Sequence, residues 1–477
     1  MMYAIMDFIF AHAFGQRYEL PISLSLFVIG GAVVVLISFL FVIRSKVDGG
    51  RTEQVESVHL AKFNWFWAAV SFIVLLLSIL TGITGSQEVA ENILPTLFWL
   101  VLWIAVPLSC GLIGNWTEWI NPFANVSKLI DRSGLRQSIL AKREALEWPK
   151  QLGWWPAAVL FFALACGELI FNQTATLPAV IGWGLLLYFV FSGFMGLLYG
   201  AGWLERGEVF TVLFNTWGKL GYFRFGSAGR NGFAGGLTRR FENSPSRIAF
   251  VLLLLISVSF DGLISTTQWG KFRQHLPSYA QGDSWQYQLI AVAIFILLGF
   301  VIWGLFSFFA NWTTKLARVK QSSQAALTGL LPSLLPISFG YLFAHNLEYL
   351  ITNGQLLFPL IGNPTGKDSW PIHLPLPFND DFEPNIHVLP SSYYWYIAVA
   401  VIIAVHVVAI ILAHRHLATQ TKDARRATLS EYPWICVMIL YTMFSLWLLA
   451  QPLTKEKPKE TSSLNPTQVV VRADSAP

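Results

Sequence analysis

Charged side chains are scarce in this chain. Only 12% of its 477 residues are Asp, Glu, Lys or Arg, half the roughly 25% of an ordinary soluble domain. That leaves too little polar surface to cover a water-soluble body of this length, which excludes a cytosolic enzyme. Intrinsic disorder is excluded too, because it needs low hydrophobicity and high charge, whereas 54% of the chain is hydrophobic. Cysteine is nearly absent. Cys110, Cys166 and Cys436 sit in apolar runs, with no CxxC or CxxCH, which argues against a disulfide framework, a zinc knuckle and covalently attached haem. HExxH, GxSxG and DxDxDG are also missing, so the familiar soluble catalytic signatures give no lead. The first fifteen residues carry no basic n-region, and no cleaved signal peptide is read there.

Long apolar runs are abundant. Ten are long enough to cross a hydrocarbon core of about 30 Å as helices: 21–43, 64–84, 93–114, 154–171, 178–200, 247–266, 288–310, 326–351, 393–413 and 432–450. They are continuous and lack the period-two alternation of a membrane barrel. The fold expected is therefore an all-α, polytopic transmembrane helical bundle of about ten spans, embedded in the lipid bilayer of a bacterial cytoplasmic (inner) membrane. The expected organisation is an outer N-terminal segment (1–20), a bundle (21–452) with a long outer loop at 352–392, and a disordered tail (453–477).

Basic residues orient the spans. If the first loop is cytoplasmic, 24 of the 32 Lys and Arg residues fall on that side, which places both termini outside. The net charge of +5 is then positive-inside topology, and no nucleic-acid partner is implied. Residues 123–147 mix apolar and basic positions and are expected along the inner membrane surface. Gly226 to Gly236 is glycine-rich but lacks the lysine and hydroxyl of a P-loop. The outer loop 352–392, rich in proline and carrying Asp380, Asp381 and Glu383, reads as an ordered lid or a surface where a protein partner docks. The third and eighth spans each hold two prolines, Pro95 with Pro107 and Pro332 with Pro336, and paired broken helices are a transporter feature.

An ionisable group inside hydrocarbon is costly, so each one marks a candidate site. Asp261 lies about 21 Å up the sixth span at 1.5 Å per residue, and Glu168 about as far up the fourth. Ser257, Asp261 and Ser265 share one helical face. His345 and Glu348, three apart, are near the outer end of the eighth span, and His12 precedes the first span on the same side. His12, Glu168, Asp261, His345 and Glu348 thus fall at one outer depth. Imidazoles and carboxylates suit zinc, manganese or iron. In that reading His12, Asp261 and His345 are the metal ligands, and Glu168 or Glu348 orients or deprotonates water. The competing reading of each residue is structural: a hydrogen-bonded histidine, or a carboxylate reaching water at the interface. His406 is expected too deep to pair with His345 across a haem.

The stretch Ala11-His12-Ala13-Phe14-Gly15-Gln16-Arg17-Tyr18-Glu19-Leu20-Pro21 resembles the opening of bacterial multi-pass membrane proteins named fenitrothion hydrolases. Asn121-Pro122, Ser259-Phe260-Asp261-Gly262-Leu263 and Ala344-His345 are similar to further stretches of that family. The resemblance implies hydrolysis of a lipophilic phosphotriester or other ester at an outward-facing site, with a lipophilic small molecule as substrate. It carries over no catalytic residue. Two other functions fit the same residues. In a proton- or cation-coupled transporter the carboxylates would relay protons, and in a redox or assembly subunit the outer loop would dock a partner.

Overall fold

The computed structural model describes residues 24–42, 55–56, 58–141, 144–225, 232–385 and 387–450. His12, the rest of the segment 1–20 and the tail 453–477 lie outside the described residues.

Twelve helices build the body: α1 (Leu24–Val42), α2 (Trp65–Thr84), α3 (Ile93–Ile113), α4 (Pro122–Ser133), α5 (Trp155–Leu169), α6 (Pro178–Tyr199), α7 (Val209–Gly218), α8 (Pro245–Ile264), α9 (Trp285–Ala317), α10 (Ser323–Asn353), α11 (Ser391–Ala418) and α12 (Ala424–Ala450). Shorter helical turns connect them. Among the described residues there is no strand; an isolated bridge joins Val55 and Arg240. The starts follow from local chemistry. Asn64, Ser244, Ser284 and Ser322 accept hydrogen bonds from backbone N–H groups of the first turns of α2, α8, α9 and α10, which satisfies donors that a helix leaves open. Proline occupies the first turn of α4, α5, α6 and α8, where its missing N–H costs nothing.

Eight of these helices are long and apolar enough to cross a membrane: α2, α3, α6 and α8 to α12. The apolar parts of α1 and α5 are shorter. The 15 residues of α5 span about 22 Å, short of a hydrocarbon core of roughly 30 Å. Side chains such as Leu76 and Leu77 of α2, and Leu297, Phe300 and Phe308 of α9, are exposed. An outward apolar surface of this kind fits acyl chains rather than water.

The most enclosed helices are α8 and α10. Helix α10 packs against α8, α9 and α11; α8 also packs against α5, and α9 and α11 against α12. Phe260 of α8 stacks on Phe295 of α9 at 4.4 Å, and Trp434 of α12 donates to Ser333 of α10 at 3.0 Å. Helix α10 runs without a break through Pro332 and Pro336, contrary to the broken helix expected there. Packing on several sides supports the helix past two residues that lack a backbone donor. The other proline pair behaves differently. Between Pro95 and Pro107, residues Thr96–Ala105 form a π-helix, in which Val106 N–H reaches back five residues to Val101 O. These wider turns re-aim Trp99 and Trp103.

The connection 201–246, expected as a cytoplasmic loop, contains the buried helix α7, packed on α3 and α5. Its apolar run is far too short to register as a span. Helix α4 is amphipathic and buries Phe123, Ala124, Ser127 and Ile130 against α2 and α6. The connection 352–392 folds in part over the α2–α3 turn: Thr365 O accepts from Ser86 N at 2.8 Å, and Pro364 O from Ile93 N at 3.2 Å.

Candidate functional site

Asp261, near the end of α8, and His345 of α10 meet inside the bundle. His345 Nε2 lies 2.6 Å from Asp261 Oδ2, and the two side chains are 4% and 12% exposed. The helices approach closely because residue 262 is glycine: a Cβ there would come within 2.7 Å of the Tyr341 hydroxyl. Tyr341 in turn sets its ring edge-on to His345, one turn along α10, at 6.3 Å between centroids.

Glu168 enters from the last turn of α5. Trp103, turned by the π-helix, donates from Nε1 to Glu168 Oε2 at 2.6 Å and stacks on Phe161 at 5.2 Å. Glu168 and Asp261 line one cavity of about 40 Å³ with Trp103, Ser257, Trp217 and Asn346. A water needs some 10–15 Å³ of such space, so the cavity has room for about three waters. His345 is not among its lining residues. Asp261 is thus part of the cavity wall, and its Oδ2 is engaged by His345.

Of the five residues expected at one depth, three are therefore assembled: Glu168, Asp261 and His345. Glu348 is half-buried, is not part of the cavity wall, and lies within electrostatic reach of Tyr394 on α11. His12 lies outside the described residues. Among the described residues, no three His, Cys, Asp or Glu side chains come together as a metal shell. At 2.6 Å, His345 and Asp261 make a hydrogen bond. His406 is buried in α11 with Nδ1 2.7 Å from Ile402 O, and His414 pairs with Glu431 of α12 at 2.9 Å.

Three features escaped sequence reasoning. The first is a buried ion cluster at the end of the bundle that carries the basic loops. Arg247, 1% exposed, forks onto Glu56 through Nε at 2.7 Å and Nη2 at 2.8 Å, and Lys219 Nζ reaches Glu56 at 3.0 Å. The guanidinium lies 4.3 Å from the Trp154 ring and 4.9 Å from that of Phe241, both favourable cation–π contacts. Burial pushes the Glu56 carboxyl up, but Arg247 and Lys219 outweigh it and hold the group at about 2.

The second is a meeting of two helix N-termini. Asn121 caps α4 and Glu208 caps α7; Asn121 Nδ2 donates to Glu208 at 2.9 Å, as does the Tyr188 hydroxyl at 2.7 Å. Asn121-Pro122 is a legible helix start, but its partner 87 residues away is not.

The third is the position of α7 between two cavities. Leu213 and Trp217 line the carboxyl cavity. Asn215 and Gly218 of the same helix, with Lys219 just past its end, line an open polar cavity of about 300 Å³ at the basic end. The last two turns of α7 thus separate a carboxyl-lined space from a basic one. No family model, curated protein or solved structure matches this chain.

Proposed function

We propose that this chain is a multi-pass membrane carrier in which proton uptake at Asp261 and Glu168 is coupled to movement of a small solute. One observation carries this reading. Two carboxyl residues, Glu168 and Asp261, line one small cavity inside an apolar bundle, and His345 pairs with one of them. When both are charged such groups repel one another, so together they take up a proton or a small cation. The distribution of basic loops supports ten spans with both termini on the outer side of a bacterial inner membrane. Proteoliposomes loaded with a pH-sensitive dye and challenged with a panel of solutes test the proposal. A solute-driven pH change that is lost in Asp261→Asn is expected. The same change in that variant rules the coupling site out.

Ester hydrolysis is the second reading. It is favoured by two apolar cavities beside α3, of about 260 and 310 Å³, which share Phe98, Leu185 and Phe210 in their walls. Each is of a size to admit a lipophilic phosphotriester, and Trp99 and Gly167 of the smaller one neighbour Trp103 and Glu168. Because the described residues form no metal shell, no metal-dependent step is derived. Release of a nitrophenol from an aryl phosphotriester by purified protein, lost in Glu168→Gln, would favour hydrolysis over transport.

A further inference from the structure

The basic-end cavity has chemistry that neither reading uses. Its wall holds Lys219, Arg224 and Arg239, together with His59, Asn115 and Glu118. Two acids oppose the three fixed cations. Glu118 is engaged by His59 at 2.7 Å, and Glu56 holds Lys219 from behind. The balance is positive. Burial, with the neighbouring Arg247 and Arg239, lowers the Lys219 ammonium below its ordinary range, and Glu56 opposes that. The cations crowd one another at this wall.

Glycine makes the crowding possible. A Cβ on Gly236 would come within 2.7 Å of the Lys219 Cα, and one on Gly218 within 2.7 Å of Asn115 Cβ. Without side chains there, the segment carrying Thr238 and Arg239 lies flat against the end of α7. Gly236 therefore works through close backbone approach, in a stretch that has no P-loop sequence. At the rim, Phe223 is 44% exposed and Phe225 also lines the cavity. Aromatic side chains beside cations are characteristic of a membrane interface, where phosphate groups are dense.

We propose that this cavity binds a phosphate-bearing anion, supplied either by the headgroup of an anionic phospholipid or by a soluble phosphate compound. Two arginine forks and a lysine around a concave polar wall are the donor set that such an oxyanion requires. The site stands on its own geometry, and its test reads binding alone, so it survives or fails independently of transport.

The experiment uses the full chain in nanodiscs. One arm titrates pyrophosphate into protein held in purely zwitterionic lipid. The other measures, by native mass spectrometry, phosphatidylglycerol retained from discs that contain it. Variants are Arg224→Gln, which alters an exposed side chain and so spares the fold, and Arg224→Gln/Arg239→Gln. The control is Lys422→Gln/Arg425→Gln, at another basic loop. In at least one arm, saturable binding should weaken about tenfold or more in the double variant, the loss of at least one charge-assisted hydrogen bond, and remain in the control. Binding confined to the pyrophosphate arm identifies a soluble ligand, and retention confined to phosphatidylglycerol identifies a lipid headgroup. Wild-type protein that binds neither, or a double variant that binds as tightly as wild type, overturns the proposal.

Discussion

Replacing Glu56 with glutamine should expose how much the basic end depends on one buried carboxylate. Its side chain is 1% exposed and meets Arg247 at 2.7 and 2.8 Å and Lys219 at 3.0 Å. The carboxyl is held at about 2 against an ordinary value of 4.5. At 1.36 kcal/mol per unit, that difference is worth about 3 kcal/mol of stability at neutral pH. The figure agrees in size with the roughly 3–5 kcal/mol lost when one member of a buried pair is removed. The sign follows from the depressed value: the contribution is complete above about pH 5 and fades as pH falls toward 2. Tryptophan-fluorescence melts in detergent, for wild type and Glu56→Gln from pH 7 down to pH 3, provide the assay. The gap in stability should be about 3 kcal/mol at pH 7 and narrow on acidification, because protonated Glu56 leaves the same cations uncompensated. A gap below about 1 kcal/mol, or one unchanged between pH 7 and pH 3, would refute the reasoning.

Three further outcomes are expected. Gly262→Ala should destabilise by about 1–3 kcal/mol through overpacking, because its Cβ would meet the Tyr341 hydroxyl at 2.7 Å. Adding Tyr341→Phe should recover much of the loss in the same melts. Trp103→Phe keeps an aromatic ring against Phe161 but removes the hydrogen bond to Glu168. A loss of about 1–3 kcal/mol with no change in Trp99 packing checks it; an unchanged melting temperature would mean that Glu168 is held by something else. Gly236→Ala should loosen the basic-end cavity by pushing its segment off the Lys219 backbone, read as faster protease cleavage near Thr238. Cleavage at the wild-type rate would contradict that packing.

Fold class was legible because it rests on properties that add along the chain. Low charge and repeated apolar runs identify membrane helices, and Asn, Ser and Pro mark where several begin. Depth was legible for the same reason. A helix rises a fixed distance per residue, so Asp261 and His345 emerged at one level and meet at 2.6 Å. Azimuth was less so. Glu348 is only three residues from His345, yet it is absent from the wall of the carboxyl cavity and lies in reach of Tyr394, because neighbouring helices decide which face of α10 looks where. Helix α7 was hidden because a run of apolar residues between basic ones reads as loop. Its burial comes from α3 and α5, which are distant in sequence. The Glu56–Arg247 pair spans 191 positions and leaves no periodic trace. The prolines of α10 misled in the opposite sense, since tertiary packing overrode a local tendency to break.

The most direct test of the central claim observes the proton itself. Infrared difference spectra of the reconstituted protein, recorded across a pH titration, report protonated carboxyl groups. The wild type should show a carboxyl signal that titrates, and both Asp261→Asn and Glu168→Gln should remove or shift it, because the two groups share one cavity. A titrating signal identical in all three proteins would show that the proton resides elsewhere and would contradict the account.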